Sequence, residues 1–583
     1  MRRTITAVAL LTALTTGCGM ATAGGSVRGH FDRPQEGFAP ASTVLHRGSP
    51  ASVGVAPAPL LAAQRQLAAW TNRTPDRPTP MYAGAVSLLA HDGTIVQHQA
   101  TGHELRYADD KGTELPPDRQ EPMRPDTIFD LASLTKLFTA IATTQLAERH
   151  VIDLSAPVAR YLPEFGANGK QGITVEQLLT HTSGLQPDVS LWKLPPEQRI
   201  PSVMNLAPQH PPGTSYEYSD PNFITLGVLI SRMTGKPLDR AVHDQITAPL
   251  GMTDSGYNPP PAKLHRIAAT EFQTTPDRGM VRGQVEDENA WSLGGVAGEA
   301  GMFSTAHDLA VLGQALLNGG SYRGHRILGE EWTRRLLSNH NERFPGHAHG
   351  LGFELDQRWY MAGMSSPESA GHTGFSGTSL VLDPKSRSIA VLLTNRVHPS
   401  RSWGSNNPSR QLLAQAMAQA LAVEPPRGRR EWFTGAGANP RQATLSTREL
   451  GPVAGRTEVA FDAFVDTQRD PDGVDPLEMQ SSVDGGRSWQ PVPMTAKGPG
   501  APDGPQPFLA GAGHRQWWHV TAEVPAQTGQ RVSLRWTYSP DRQYAGRGVD
   551  LAGISARDQV QTLLDGEHDQ DAFQPQGWDS TRR

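Results

Sequence analysis

Two apolar periods alternate along residues 51–424. Runs with the helical period of about 3.6 residues are Leu60–Trp70, Asp130–Glu148, Asn222–Met233, Leu309–Leu317 and Gln411–Val423. Pairs of short apolar strands flank this helical region, one pair around the turn Asp92-Gly93 and the other around Asp383-Pro384. Hairpins at both ends of a helical region predict an α+β domain with an antiparallel sheet flanked by helices.

The pattern changes at Glu424-Pro425-Pro426, beyond which long helical periods are nearly absent. Arg531–Tyr538 alternates strictly between apolar and polar residues, and Trp517–Val524 does the same. Short strands separated by Gly, Pro and Asp turns are typical of a β-sandwich. We therefore predict a linker over residues 425–440 and an all-β sandwich domain over residues 441–583.

The first residues have the pattern of an export signal. Met1-Arg2-Arg3 precedes the apolar run Ala7–Leu14, which predicts a signal peptide over residues 1–23. Two cleavage positions compete, one before Cys18, which would then carry a lipid anchor, and one after Ala23. Residues 24–50 are rich in Gly, Ser, Pro and Ala and are expected to form a flexible tether. The expected location is the extracellular face of the membrane, or the medium.

Composition narrows the possible functions. The 583 residues exceed one ordinary hydrophobic core, so more than one domain is expected. A net charge of -5 gives no reason to propose a nucleic-acid partner. Cys18 is the only cysteine, which excludes internal disulfides, cysteine–metal sites and a cysteine nucleophile. We expect no metal and no cofactor.

The first candidate for chemistry is Ser133-Leu134-Thr135-Lys136, at the start of an apolar helical run. Serine and lysine three residues apart lie on one helix face, one turn from each other. The lysine amine can accept the serine proton if burial or a neighbouring cation lowers its pKa. The helix N-terminus adds backbone N–H groups where an oxyanion could form. This motif alone is equally compatible with a surface Ser–Lys pair.

Two further motifs follow Lys136 in order. Tyr216-Glu-Tyr218-Ser219-Asp220 precedes a helix, and Gly371-His372-Thr373-Gly374 precedes a strand. This ordered set resembles the serine β-lactamase and penicillin-binding-protein family, and within it the class C β-lactamase-related esterases, carboxypeptidases and D-aminopeptidases. The resemblance covers Ala51 to Ala422. It implies a β-lactamase/transpeptidase-like fold, in which an all-helical subdomain accompanies the flanked sheet.

The resemblance also implies catalytic roles. Ser133 would be the nucleophile that forms an acyl-enzyme, and Lys136 would accept its proton or tune Tyr218. Tyr218 would be the general base, provided that Lys136 and its surroundings depress the tyrosine pKa. The backbone N–H groups of Ser133 and Phe375 would form the oxyanion hole.

The remaining candidates would contact substrate. His372 would face the acyl or leaving group, and Gly374 would let a substrate backbone approach the strand edge beside Thr373. Ser219 and Asp220 would line the pocket.

Two positions depart from the family pattern. Asp220 stands where the family commonly has Asn, and His372 stands where β-lactamases and cell-wall carboxypeptidases usually have Lys. A carboxylate repels an anionic substrate group unless Lys136 neutralises it, and a histidine replaces a permanent cation by a titratable one. Both changes favour neutral or amine-bearing esters and amides.

Other histidines and the C-terminal region have simpler interpretations. We expect His181 to hold the loop beside the site, and His347 and His349 to lie in a surface loop rather than bind metal. Ser482-Val-Asp484-Gly-Gly486-Arg-Ser-Trp489 resembles an Asp-box hairpin. Such a hairpin stabilises a turn, and in this domain it also raises possible contact with glycans or the cell wall.

The sequence therefore predicts an exported serine hydrolase. Its substrate would be a small ester, amide or D-amino-acid peptide, with esterase activity favoured by His372. DD-carboxypeptidase or D-aminopeptidase activity is one alternative, and a non-catalytic penicillin or peptidoglycan sensor is another. An α/β-hydrolase would need a G-x-S-x-G elbow, which the chain lacks.

Overall fold

The computed structural model describes residues 29–428, 430–434, 442–470, 473–511, 513–541 and 546–582. The predicted signal peptide, including Cys18, lies outside these residues. Within the described ranges no helix is both long enough and apolar enough to cross a bilayer.

The α-helices of the described chain all lie before residue 424. They are α1 (Pro57–Ala69), α2 (Thr135–Glu148), α3 (Val175–Leu179), α4 (Pro196–Met204), α5 (Asp220–Thr234), α6 (Leu238–Val242), α7 (Glu288–Ser292), α8 (Ala306–Leu317), α9 (Glu330–Leu336), α10 (Arg358–Met361) and α11 (Asn407–Ala420). A short 3-10 turn, Ala132–Leu134, leads into α2. Each of the five helical runs predicted from the sequence is present.

The strands of this first part form one large sheet and several small ones. They are β1 (His46–Arg47), β2 (Gly84–His91), β3 (Thr94–Leu105), β4 (Glu121–Pro122), β5 (Phe129–Asp130), β6 (Gly256–Tyr257), β7 (Phe272–Thr274), β8 (Asp277–Met280), β9 (Met302–Ser304), β10 (Ser321–Tyr322), β11 (His325–Arg326), β12 (Glu354–Leu355), β13 (Ala370–Gly374), β14 (Thr378–Asp383) and β15 (Ser388–Thr394). The large sheet has the order β1-β3-β2-β15-β14-β13-β12.

Helices cover both faces of the large sheet, which confirms the predicted α+β fold. Leu88 of β2 joins the core that α2 and α8 share, whereas Leu89 joins the core formed with α1 and α11. Because both faces are buried, β2, β14 and β15 are buried along their whole length. The helix α2 is itself buried from Thr135 to Ala147 and runs through the centre of the helical region.

The C-terminal part is all-β, as predicted. Its strands are β16 (Arg430–Phe433), β17 (Ala443–Thr447), β18 (Thr457–Asp466), β19 (Arg469–Asp470), β20 (Gly473–Val474), β21 (Leu477–Ser482), β22 (Gln490–Pro491), β23 (Met494–Lys497), β24 (Pro505–Gln506), β25 (Trp517–Val524), β26 (Ser533–Tyr538), β27 (Gly548–Arg557), β28 (Thr562–Asp565), β29 (Phe573–Gln576) and β30 (Asp579–Arg582). Two sheets, β24-β23-β25-β18-β27-β16-β30 and β22-β21-β26-β17-β29, share one apolar core. Phe461 and Trp536 meet edge to face across it, with ring centroids 5.7 Å apart.

In two segments predicted as connectors, the described residues (29–50, and 425–428 with 430–434) make regular contacts instead. In the predicted flexible tether, Phe31 is 1% exposed and its N–H donates to the Ala422 carbonyl, while β1 pairs with β3. In the predicted linker 425–440, β16 pairs with β27 and β30. The first segment is rich in Gly, Ser, Pro and Ala, but a few buried apolar side chains, such as Phe31 and Leu45, hold its described residues against the domain.

The tether segment also lies at the contact between the two parts of the chain. Arg515 of the β part forms a buried ion pair with Asp383 at 2.7 Å and donates to the Met364 carbonyl at 3.0 Å. Its guanidinium carbon lies 4.1 Å from the centroid of the Phe31 ring. Trp517 donates from its indole nitrogen to Asp32. The N-terminal segment thus fills the seam between the two parts.

Candidate active site

The turn that carries Ser133 is locally strained. Ala132 has φ of 48°, a left-handed conformation that costs an alanine roughly 1–2 kcal/mol. Its N–H donates to the Asp130 carboxylate at 2.9 Å, and β5, which contains Asp130, pairs with β9. The strand and this capping bond hold the turn, so that half-buried Ser133 lies at the head of α2 with Lys136 one turn further on.

The Lys136 ammonium has three oxygen neighbours. It donates to Ser133 Oγ at 3.1 Å and to the Glu299 carbonyl at 3.2 Å, and it forms an ion pair with Asp220 Oδ1 at 2.7 Å. Burial alone would lower the pKa of Lys136, but the attraction of Asp220 and Tyr218 outweighs it, and the pKa lies above its ordinary value. The condition set for Lys136 as a resting proton acceptor, a lowered pKa, is therefore not met. Lys136 is an ammonium that donates to the serine in the resting site.

Tyr218 lies beside this pair, as predicted from the motif order. The Lys136 Nζ is 4.9 Å from the centroid of its ring, and His181 stacks on the ring at 4.5 Å. Burial raises the pKa of Tyr218 to about 12, against the opposing effects of Lys136 and of hydrogen bonding with Ser133. The condition set for Tyr218 as a resting general base, a depressed pKa, is not met. The residue is a neutral phenol at neutral pH.

The two residues after Tyr218 have different environments. Ser219 is fully buried. Its N–H donates to His181 Nδ1 at 3.0 Å, and its Oγ donates to the Gln186 carbonyl at 2.7 Å. It supports the loop instead of lining the pocket as predicted. Asp220 is the first residue of α5, and its side chain is 22% exposed while one oxygen holds Lys136. The predicted neutralisation of Asp220 by Lys136 is present.

The third motif lies on β13. The His372 ring is buried, its Nδ1 is 2.7 Å from the Thr373 carbonyl, and its Nε2 has no hydrogen-bond partner. Burial, reinforced by the charge of Lys136, lowers the pKa of His372 to about 3, so the imidazole is neutral. Its centroid is 6.1 Å from that of Tyr218. The structure thus brings His372 to the same cavity, with half-buried Thr373 beside it.

Gly374 is required by the approach of β13 to the serine turn. A Cβ at this position would overlap the Leu131 carbonyl oxygen. Thr378 Oγ1 also donates to the Leu131 carbonyl at 3.0 Å, and Ser376 Oγ donates to the Asp130 carbonyl at 2.8 Å. The predicted oxyanion strand is therefore bonded to the residues that directly precede Ser133.

Phe375 was predicted to contribute its backbone N–H to the oxyanion hole. Its ring is exposed to the solvent. The residue is 47% exposed, and the guanidinium carbons of Arg396 and Arg401 lie 4.5 and 5.4 Å from the ring centroid. Both contacts have cation–π geometry. A positively charged rim thus borders the strand that carries His372.

Several acidic residues near the site have shifted pKa values that the motifs did not reveal. The Glu299 carboxyl is buried without a partner, and burial raises its pKa well above the ordinary value. Burial also raises the pKa of Asp287 to about 7. Glu299 also supplies a backbone oxygen to Lys136, through a long-range contact that no local sequence pattern indicates.

Among the described residues, one carboxylate cluster has metal-like spacing. Oxygens of Glu271, Glu286 and Glu288 lie within 4.8 Å of one another. Arg401 donates to all three at 2.6–2.7 Å, so a guanidinium already balances their charge.

Of the two histidines expected in a surface loop, His347 is exposed, but His349 is 1% exposed, so the expectation is wrong for His349. His347 stacks on Tyr216 at 4.5 Å, and His349 Nδ1 contacts the Gly350 carbonyl. His181 holds the Tyr218 loop as expected, since its carbonyl accepts from Glu217 N–H and its ring accepts from Ser219 N–H.

A buried Ser–Lys pair, a tyrosine beside it and a glycine-bearing strand packed on the serine turn define the class of serine hydrolases with an S-x-x-K nucleophile. The sequence model of the Beta-lactamase family matches residues 66–415, and the chain belongs to this family of serine hydrolases.

The chain is similar to several named proteins and solved structures. A protein of Escherichia coli K12 named "Putative D-alanyl-D-alanine carboxypeptidase" is 30% identical over 363 residues, which are 56% of this chain and 82% of that protein. A Salmonella typhi protein of the same name is 32% identical over 362 residues, 55% and 81% of the two chains. Similar solved structures include the hydrolase EstCE1 (21% identity, TM-score 0.49, covering 62% of this chain and 99% of that one) and a penicillin-binding-protein homologue from Caulobacter crescentus (24%, 0.49, 63% and 99%).

Proposed function

We propose that this protein hydrolyses a small ester through an acyl-enzyme on Ser133. The observation that carries the proposal is the Lys136 ammonium, which is hydrogen-bonded to Ser133 Oγ and ion-paired with Asp220. When Ser133 attacks the carbonyl, its proton passes to Lys136 Nζ while another ammonium proton passes to Asp220. Every atom in this relay is already within hydrogen-bond distance of the next. Tyr218, neutral in the resting site, donates its proton to the leaving group and recovers it from the deacylating water. As the acyl bond breaks, the proton held by Asp220 returns through Lys136 to Ser133 Oγ, which restores the resting site.

The polar groups of the site support an uncharged or amine-bearing acyl group. His372 is neutral, so it offers no permanent cation to a substrate carboxylate, and the charge of Lys136 is already paired with Asp220. An ester also has a better leaving group than an amide. Esterase activity is therefore the first candidate.

A second candidate is cleavage of peptides that end in D-alanine, by carboxypeptidase action. It is favoured by the names of the relatives and by Arg396, which lies over the Phe375 ring and forms no ion pair within the described residues. A D-aminopeptidase would instead use the Asp220 carboxylate for the substrate ammonium.

The test is a panel of p-nitrophenyl esters, D-amino-acid amides, D-Ala-D-Ala peptides and nitrocefin, run with wild type and Ser133→Ala. Esterase activity requires faster cleavage of neutral esters than of either peptides or nitrocefin. Faster release of D-alanine would establish the second candidate. A stable covalent adduct on Ser133 without any product release would establish a non-catalytic sensor.

We also propose that the chain is exported, with Cys18 as the lipidated residue. The support is the charged and apolar pattern of the first residues. The test is fractionation of cells that express the full chain with and without Cys18→Ser. Wild type should be found with membranes and the variant should be released. Equal distribution would leave cleavage after Ala23 as the alternative if both are secreted, and would refute export if both stay inside.

The C-terminal part offers a place for cell-wall contact. A cleft of about 730 Å³ is lined by Trp489, Arg448, Glu449 and Arg531. Arg448, Glu449 and Arg531 form no ion pair within the described chain, and Arg535 packs on the Trp489 ring at 4.1 Å. The Asp box, which Asp484 closes through the N–H groups of Arg487 and Ser488, holds this tryptophan in place. An indole beside unpaired charged groups suits an acidic glycan.

The test of glycan docking is co-sedimentation with purified cell-wall sacculi. Arg448→Glu and Trp489→Ala should each reduce the bound fraction. Arg456→Glu, which changes an exposed arginine of the same domain outside the cleft, is the control. Equal binding by all three variants and wild type would contradict the proposal.

A further inference from the structure

The first turn of α11 lies directly behind the turn that joins β13 to β14. Arg410 Nη2 donates to the Gly374 carbonyl at 2.6 Å and to the Thr378 carbonyl at 3.1 Å. One residue before the helix, Asn406 donates to the Gly377 carbonyl at 3.0 Å. Two side chains of one helical turn therefore satisfy three carbonyls of the hairpin turn.

The Gly374 carbonyl and the Phe375 N–H belong to the same peptide group. A peptide group is planar and trans, so a bond that fixes the direction of the oxygen also fixes the direction of the N–H. A cationic donor on the oxygen draws electron density from the nitrogen, which makes the N–H a stronger donor. In the described chain the Phe375 N–H donates to no protein acceptor. It is therefore available to a ligand.

We propose that Arg410 is a positioning residue that orients and polarises the Phe375 N–H as an oxyanion donor. This inference rests on the proposed acyl-enzyme function. The Ser376 and Thr378 hydroxyls hold the same hairpin against the residues before Ser133, so the donor and the nucleophile share one rigid frame.

The burial of Arg410 is not explained by the neutralisation of an acidic side chain. The residue is 8% exposed and forms no ion pair within the described residues. Its guanidinium also donates to the Asn407 side-chain oxygen at 2.7 Å. A buried guanidinium satisfied mainly by carbonyls is costly to desolvate. Burial lowers the pKa of Arg410 to about 10, which still leaves it charged at neutral pH.

The experiment compares wild type with Arg410→Met and Arg410→Lys. For each, kcat and KM are measured with p-nitrophenyl butyrate, and the inhibition constant is measured with phenylboronic acid, which forms a tetrahedral anionic adduct on the serine. Removing a whole oxyanion donor typically costs about 10²–10³-fold in kcat, so weakening one should cost about 10–100-fold. For Arg410→Met we expect that loss in kcat, an equal loss of boronate affinity, and little change in KM. Arg410→Lys, which keeps the charge but not the fork, should lie between.

Arg282→Met is the control for simple loss of a partly buried arginine. Its guanidinium bonds Glu121 and the Ile267 carbonyl, away from the hairpin turn. We expect a lower Tm with unchanged kcat and boronate affinity. The proposal is overturned if Arg410→Met also lowers only Tm, or, where that variant does not fold, if Arg410→Lys matches wild type in kcat and boronate affinity. A wild type that neither cleaves esters nor binds boronate would instead refute the proposed function.

Discussion

Asp220→Asn restores the residue that the family commonly carries and removes the counter-charge of Lys136. The two charges are 2.7 Å apart, and Lys136 is 1% exposed. Coulomb's law with an effective dielectric constant of about 20 gives about 6 kcal/mol at this separation. Breaking one side of a buried pair costs about 3–5 kcal/mol in practice. Since Asp220 is 22% exposed, we expect the free energy of unfolding at pH 7 to fall by about 3 kcal/mol, toward the lower end of this range.

The loss in the free energy of unfolding caused by Asp220→Asn should depend on pH. In wild type the Lys136 pKa is raised, so its stabilisation is complete below the unfolded lysine pKa and is lost only as pH rises through the folded pKa. In Asp220→Asn, burial without a carboxylate partner lowers the pKa of Lys136 below its ordinary value. The unfolded chain then binds more protons, and the stability of the variant rises with pH up to about 10. The gap between the two proteins should therefore narrow from pH 7 to pH 10.

The assay is Tm against pH, together with the pH profile of kcat/KM. We expect a Tm loss of about 5 °C at pH 7 that shrinks with rising pH, and an acid limb of the variant shifted to higher pH. Asp244→Asn, which breaks the exposed Lys236–Asp244 pair at 2.8 Å, should change neither quantity measurably. A Tm gap independent of pH together with an unshifted acid limb would refute the argument that Asp220 keeps Lys136 charged.

Three other substitutions test separate parts of the account. His372→Lys should raise the ratio of the nitrocefin rate to the neutral-ester rate, because it adds a permanent cation, and an unchanged ratio would contradict the specificity argument. In wild type, His372 should not titrate between pH 5 and 8, because its pKa is about 3. Gly374→Ala should abolish ester cleavage and lower stability by about 1–3 kcal/mol, measured by kcat and urea unfolding, because its Cβ meets the Leu131 backbone; full activity would contradict the assigned position of β13. Arg515→Ala should cost about 3–5 kcal/mol by leaving Asp383 buried and unpaired, and a Tm equal to wild type would show that the contact between the two parts is not held by this pair.

The sequence was most informative where chemistry and backbone geometry coincide. The spacing of Ser133 and Lys136 on one helix face requires only helical periodicity, and Gly374 follows from the close approach of backbone to backbone. Strands buried on both faces, such as β14, were recognisable as continuous apolar runs. The proximity of Tyr218 to Ser133 came from the resemblance, since no local pattern encodes a contact between residues so far apart in the chain.

Charge states were less accessible because they depend on the whole surrounding structure. The sequence left open whether the pKa of Lys136 is lowered, and the structure decides it because Asp220 lies close enough to reverse the effect of burial. Ser219 was expected to line the pocket, but its hydroxyl donates to the Gln186 carbonyl instead. Segment 29–50 was expected to be flexible from its composition, although Phe31 alone provides a buried anchor. Arg410 carried no local signal, because its role is visible only once the hairpin turn is placed beside α11.

The central claim is that Ser133 is the nucleophile of a working hydrolase, and mass spectrometry during turnover tests it most directly. The full chain is mixed with p-nitrophenyl butyrate, quenched in acid within the first turnovers and digested. We expect a butyryl group on the peptide that contains Ser133, formed in a burst and then lost, with none in Ser133→Ala. Ester cleavage by Ser133→Ala at the wild-type rate, or an acyl group on a different residue, would contradict the claim.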